Sequence, residues 1–143
     1  GFTMMMGEML TLKQLNLPVK IFVFNNEELS FIAMEMKASG YLDYATDFVN
    51  PDFGKLAEAA GIKGVSIQNS SEVDEKIMEA LNHNGPVIVN VRVDKQELAM
   101  PPKIAYQQAK GFSKYLINAI LDGRGTELKE MAKTNWMKYK SLF

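Results

Sequence analysis

The sequence predicts an α/β fold built on a parallel sheet, and three observations predict it. Short β-branched or aromatic runs recur at 19–24, 65–67 and 87–93, with the length and composition of strands. The segments between them carry apolar residues at three- and four-residue intervals, the period of a helix with one buried face. The last run, Val87-Ile88-Val89-Asn90-Val91-Arg92-Val93, is nearly continuous in β-branched residues, as expected of a strand covered on both faces. Strands alternating with helices imply right-handed crossovers.

Each element has its own signal. Phe2, Met5, Met6, Met9 and Leu10 give residues 2–16 a helical spacing, and the methionines are expected to pack into a core. Leu17-Pro18 ends that helix, because proline disfavours the helical region for its predecessor. The strand Val19-Lys20-Ile21-Phe22-Val23-Phe24 stops at Asn25-Asn26, and a second helix is expected over 27–37. Residues 40–49 hold aromatics without a sustained period and are expected to form a loop. Asn50-Pro51 opens a third helix, with Asn50 as N-cap and Pro51 in the first position. Phe53, Leu56, Ala57 and Ala60 line that helix's inner face, and Gly61 stops it. After the strand Val65-Ser66-Ile67, Ser70 or Ser71 caps a helix with Val73, Ile77 and Leu81 at four-residue steps. Its Glu72, Asp74, Glu75 and Glu79 read as a solvated face. Pro101-Pro102 breaks the pattern, and helices over 105–121 and 126–140 follow, separated by Asp122-Gly123-Arg124-Gly125.

Composition narrows the function. With 143 residues, 47% hydrophobic and 23% charged, the chain has the balance of an ordinary globular domain. A formal net charge of −1 argues against a nucleic-acid surface. The absence of cysteine excludes disulfides, thiolate nucleophiles and Cys-based metal sites, and is compatible with a reducing compartment. His83, the single histidine, sits in Asn82-His83-Asn84-Gly85-Pro86, where a capping or solvated role is the simpler reading. No run approaches the roughly 18 apolar residues of a membrane span. The opening Gly1-Phe2-Thr3-Met4-Met5-Met6 has no positive segment or cleavage site of a signal peptide.

In open α/β sheets, ligands gather beyond the carboxyl ends of strands. Phe24-Asn25-Asn26-Glu27-Glu28 is such an end. An asparagine amide oxygen is a neutral, hard ligand suited to magnesium, which takes a few protein oxygens and leaves positions for a phosphate group. The helix starting near Glu28 would aim free N–H groups at the same place. Asn-Asn is also ordinary turn chemistry after a strand. Spacing alone leaves both readings open.

Longer motifs bear on that choice. The stretch Gly1-Phe2-Thr3-Met4-Met5-Met6-Gly7-Glu8-Met9-Leu10, followed by Leu17-Pro18-Val19-Lys20-Ile21-Phe22-Val23-Phe24-Asn25-Asn26, resembles the thiamine-diphosphate motif. That motif begins Gly-Asp-Gly and ends Asn-Asn. Gly1 resembles the residue directly after Gly-Asp-Gly, so the metal-binding Asp is expected outside this chain. Within that superfamily the chain resembles pyruvate oxidase, particularly the quinone-reducing form. The likeness rests on Phe31-Ile32-Ala33-Met34-Glu35-Met36-Lys37, Asn50-Pro51-Asp52-Phe53 and Ala99-Met100-Pro101-Pro102-Lys103-Ile104. It continues through Ala109-Lys110-Gly111-Phe112-Ser113, Gly123-Arg124-Gly125 and Ala132-Lys133-Thr134-Asn135-Trp136.

The resemblance implies a truncated parallel sheet of the thiamine-diphosphate-binding fold over 1–99 and a helical C-terminal extension over 100–143. It implies that Asn26 gives magnesium its side-chain oxygen and Glu28 its backbone carbonyl. Gly1, Leu29 and Ser30 would lie against the cofactor diphosphate, Phe31 near thiazolium and flavin, and Glu35 on the substrate side. Taken singly, Phe31 also reads as a core residue and Glu35 as a solvated one. The family usually has Gly where Ser30 stands; Ser adds a hydroxyl that could donate to a phosphate oxygen. The implied reaction is oxidative decarboxylation of pyruvate with thiamine diphosphate, Mg2+ and FAD, passing electrons to a quinone or oxygen. FAD would be bound mainly by a domain absent from this chain, so the 143 residues alone are expected to be inactive. The expected assembly is a homotetramer in the cytoplasm. Residues 116–137 resemble the lipid-associating C-terminal segment of quinone-reducing relatives, which implies peripheral contact with the inner face of the membrane. Alternatives are another thiamine-diphosphate enzyme such as an acetolactate synthase, or a non-catalytic assembly module.

Overall fold

Three parallel strands in the order β1-β3-β2 form the only sheet among the described residues of a computed structural model, which describes residues 1–95 and 105–140, the side chains of 137–140 excepted. The strands are β1 (Lys20–Asn25), β2 (Lys63–Ile67) and β3 (Val87–Arg92). The helices are α1 (Glu8–Leu15), α2 (Ser30–Ala38), α3 (Phe53–Ala59), α4 (Val73–Asn82), α5 (Tyr106–Leu121) and α6 (Gly125–Lys140). The expected α/β class with a parallel sheet and flanking helices is what the chain adopts. It divides into two compact units, Gly1–Asn26 with Val49–Val93, and Glu27–Phe48 with Asp94–Phe143.

In the first unit β3 is central, and Val87, Ile88, Val89 and Asn90 are all buried, which explains the nearly unbroken apolar run. One sheet face packs Ile88, with Ile21 and Val23, against Met9, Phe53 and Ala57 of α1 and α3. The other packs Val65, Ile67, Val87 and Val89 against Ala80, Val73 and Ile77 of α4. Helix α3 lies so close to β2 that a Cβ at Gly64 would fall on the Gly54 carbonyl.

Several local expectations are corrected. The helix expected over 2–16 is split: Phe2–Met5 forms a 3-10 turn, α1 starts at Glu8, and Asn16 ends it at φ 46° in the left-handed region. Met4 and Met5 are exposed and only Met9 of that group is fully buried, because the break at Met6-Gly7 interrupts the helical face. Helix α2 starts at Ser30, since Glu27 has φ 56° and residues 27–29 are taken up by other pairing. The N-cap of α3 is Asp52 in place of Asn50: its Oδ1 accepts from the N–H groups of Gly54 at 2.9 Å and Lys55 at 3.2 Å. A carboxylate next to the first turn satisfies two orphan donors, while the Asn50 amide is engaged elsewhere.

Asn69, and neither Ser70 nor Ser71, caps the turn leading into α4, in a reciprocal pair with Glu72. Glu72 is therefore more than a solvated acid. It accepts from the N–H groups of Gln68 and Asn69 and pairs with Lys76 at 3.1 Å, and these bonds hold its carboxyl down at about 2. Leu81 is half exposed while Ala80 is buried. Seven residues bring a helix back to nearly the same face and eight overshoot it.

The second unit holds α2, α5 and α6 around Tyr115, Ala119 and Met131, with Leu42, Phe112, Leu116 and Leu128 against them. Gly111 allows α5 to meet the Ala38 carbonyl at the end of α2. Lys37, 4% exposed, pairs with Glu127 at 3.3 Å, and the Tyr115 hydroxyl donates to the same carboxylate. Arg124 bridges Asp43 and Asp122, each at 2.9 Å. The motif at 99–104 and residues 141–143 lie outside the described residues.

Candidate functional site

The carboxyl end of the first unit's sheet carries a row of polar side chains on the α3 face. The register aligns Ser66 with Asn90 and Asn90 with Val23, and Asn25 follows two residues on. Strand alternation therefore puts Asn25, Asn90 and Ser66 on the same side as Ile88 and Val23. There, Asn50 Nδ2 donates to Asn25 Oδ1 at 2.9 Å, and Asn25 Nδ2 donates to Asn90 Oδ1 at 3.1 Å. Asn25 and Asn90 are 4% and 2% exposed, so each amide bond offsets a desolvation cost of about 1–3 kcal/mol. The Asn25 carbonyl accepts from Val93 N–H at 3.2 Å. Ser66 Oγ donates to Asp52, the carboxylate that caps α3. Asn26 follows directly, half-buried, as the last residue of this segment of the unit. Gly1 is exposed and opens the Phe2–Met5 turn, its carbonyl accepting from Met4 N–H.

Glu28, Leu29, Ser30, Phe31 and Glu35 belong to the second unit. Residues 27–29 run antiparallel to 46–48: Leu29 N–H donates to Thr46, Phe48 N–H to Glu27, and Glu28 faces Asp47. This pairing uses the Glu27 carbonyl and the Leu29 N–H, so the carbonyl and N–H of Glu28 point away from the 46–48 segment. Burial pushes the Glu28 carboxyl up, with Asp43 and Asp47 adding to it and Lys37 and Lys95 opposing. Ser30 starts α2, whose N-terminus has no side-chain cap. Phe31 and Glu35 stand one helical turn apart on the exposed side of α2, opposite buried Ala33 and Lys37, and Phe31 is 72% exposed. Thus Phe31 is not a core residue. His83 is exposed at the end of α4, where its carbonyl accepts from Lys20 Nζ at 2.8 Å.

The fold therefore brings Phe31 and Glu35 to one helix face and places Asn26 at the sheet's carboxyl edge. Sequence reasoning missed the roles of Asn50 and Asn90. One signal was available: Asn90 is the only polar residue between Val87 and Val91, and a polar group inside an apolar, doubly covered strand is the informative exception. The donors present fit magnesium. An asparagine side chain and peptide carbonyls are hard, neutral oxygens, suited to a cation that brings its own anionic diphosphate.

The fold and this edge define an α/β domain with a polar carboxyl edge to its parallel sheet. A family model described as the thiamine pyrophosphate enzyme, C-terminal TPP binding domain, matches residues 1–91. The chain belongs to that family. It is 35% identical to the "Putative thiamine pyrophosphate-containing protein YdaP" of Bacillus subtilis (strain 168) over 134 residues, 94% of this chain and 23% of that protein. It is 38% identical to the mitochondrial acetolactate synthase catalytic subunit of Saccharomyces cerevisiae over 102 residues, 71% of this chain and 15% of the synthase. The mitochondrial acetolactate synthase of Schizosaccharomyces pombe is 35% identical over the same shares. The chain thus spans less than a quarter of the length of these curated relatives.

Proposed function

We propose that this chain is the part of a thiamine-diphosphate-dependent 2-oxo-acid enzyme that grips the cofactor's diphosphate through magnesium. The observation that carries the reading is Asn25-Asn26 at the carboxyl end of β1, in a chain of this family. Asn26 would supply its amide oxygen and Glu28 its backbone carbonyl, while Gly1, Leu29 and Ser30 would offer N–H groups to the diphosphate. Phe31 and Glu35, side by side on α2, would face the substrate. Bound thiamine diphosphate supplies the decarboxylation chemistry; the chain's residues bind and orient it.

The synthases among the relatives favour a carboligation: pyruvate loses CO2 and the remaining two-carbon unit joins a second 2-oxo acid. One observation favours a second reading, oxidation of pyruvate with FAD and a quinone or oxygen. The likeness to YdaP takes in 94% of the chain, too much to omit α5, whereas the yeast synthase takes in 71%. Motifs on α5 and α6, Ala109-Lys110-Gly111-Phe112-Ser113 and Ala132-Lys133-Thr134-Asn135-Trp136, resemble pyruvate oxidase. Incubating the full-length, homo-oligomeric enzyme with pyruvate, magnesium and thiamine diphosphate separates the two. Acetolactate without an added acceptor supports carboligation; acetate or acetyl phosphate formed only with a quinone or oxygen supports oxidation. Asn26→Ala is expected to raise the magnesium needed for half-maximal thiamine diphosphate binding more than about tenfold. An unchanged requirement removes the assigned role.

Among the described residues, no helix is long and apolar enough to cross a membrane. Peripheral contact from a cytoplasmic enzyme is proposed for α6, where exposed Lys129, Lys133 and Trp136 recur on one face. Co-sedimentation of full-length enzyme with anionic liposomes should fall when 116–143 are deleted; equal sedimentation refutes it.

A further inference from the structure

The amide chain behind Asn26 suggests how the magnesium edge is held, an inference that rests on the functional reading above. Asn25 is fixed at three points: its Oδ1 by Asn50, its Nδ2 by Asn90, and its carbonyl by Val93. Two of these partners come from β3 and the residue after it, and the third from the segment leading into α3. A buried amide with donor and acceptor both engaged has one orientation left to it. The peptide that joins Asn25 to Asn26 inherits that restriction. The demand for asparagine at 90 comes from Asn25: a valine there would leave the buried Asn25 Nδ2 without its acceptor.

We infer that Asn50 and Asn90 are positioning residues that orient Asn26 toward magnesium by clamping the Asn25 side chain from both ends. Neither would touch the metal. Preorganised ligands lower the ordering cost of binding, so loosening the clamp weakens magnesium-dependent cofactor binding even where the fold survives.

The test uses the full-length enzyme and magnesium titrations of thiamine diphosphate binding, followed by intrinsic fluorescence, with apo-enzyme melting recorded alongside. Asn90→Val removes the acceptor for Asn25 Nδ2, and Asn50→Ala removes the donor to Asn25 Oδ1. Each should raise half-saturating magnesium about tenfold, which converts to roughly 1.4 kcal/mol. The double variant should exceed the single ones by less than the product of their effects, because both act through Asn25. Ser66→Ala is the control: it lies in the same polar row but bonds to Asp52 outside the amide chain. It should leave the magnesium requirement within about twofold, whatever its melting temperature. A purely structural role predicts lower melting with unchanged magnesium dependence for Asn50→Ala, and that result overturns the inference. So does Ser66→Ala matching Asn90→Val. If Asn90→Val fails to fold, half-buried Asn50, outside the sheet, decides the question. Wild-type enzyme that binds thiamine diphosphate without needing magnesium would instead overturn the functional reading, and this inference with it.

Discussion

Lys37 is an ammonium group almost sealed from solvent, its side chain 5% exposed, beside a Glu127 carboxylate that is 22% exposed. Its other close neighbour is the Tyr115 ring, 5.5 Å away. Removing one charge of such a pair strands the other, which for buried pairs costs about 3–5 kcal/mol. Glu127→Gln keeps an oxygen that can still accept from Tyr115 and Lys37, and the site is partly wet, so about 2–3 kcal/mol is expected. Lys37→Met is a different perturbation. It removes the costly ammonium and fills the space with a flexible apolar chain, while Glu127 keeps the Tyr115 hydroxyl and an Arg124 guanidinium 3.8 Å away. Its expected cost is below about 1 kcal/mol, and combined with Glu127→Gln it should recover part of the loss. Urea denaturation of the 143-residue chain reads this directly. With a denaturant slope of about 1–3 kcal/mol/M, Glu127→Gln should lower the midpoint by about 0.7–3 M and Lys37→Met by much less. Equal losses from the two single variants would refute the asymmetry, and with it the view that Glu127 serves mainly to neutralise Lys37.

Gly64→Ala should cost about 3 kcal/mol, because the new methyl meets the Gly54 carbonyl and α3 must lift from β2. Gly7→Ala, with nothing within 4 Å of its Cβ, should stay within about 0.5 kcal/mol; similar midpoints for both variants would contradict the steric reading. Glu72 has its carboxyl lowered from 4.5 to about 2 by bonds from Gln68 N–H and Lys76. Its contribution to stability is therefore present above 4.5 and lost as pH falls toward 2. Glu72→Gln should flatten that part of the denaturation-midpoint profile relative to the parent, and parallel profiles would exclude Glu72 as a source of the acid dependence.

What could be read from the sequence followed from how local its cause is. The parallel sheet was legible because β3 is buried on both faces and must be apolar throughout, a demand that any reader of 87–93 can see. The end of β1 was legible because two adjacent asparagines close its apolar run. The cap of α3 was misassigned because Asn50 and Asp52 are both good caps by composition, and the choice between them depends on an amide 25 residues away claiming Asn50. Asn90 lies 65 residues from Asn25, so nothing in either local pattern reveals the pairing. The start of α2 moved for a similar reason: residues 27–29 pair with 46–48, and a non-local ladder outcompetes a marginal first helical turn. Hydrophobic period thus determines which segments become strands and helices, whereas long-range polar bonds decide where they begin and end. The proposed role of Asn26 lies at such an end, where motif alone names the residue but not the partners of its neighbour Asn25. Asn50 and Asn90 become apparent only when the sheet sets β1 beside β3.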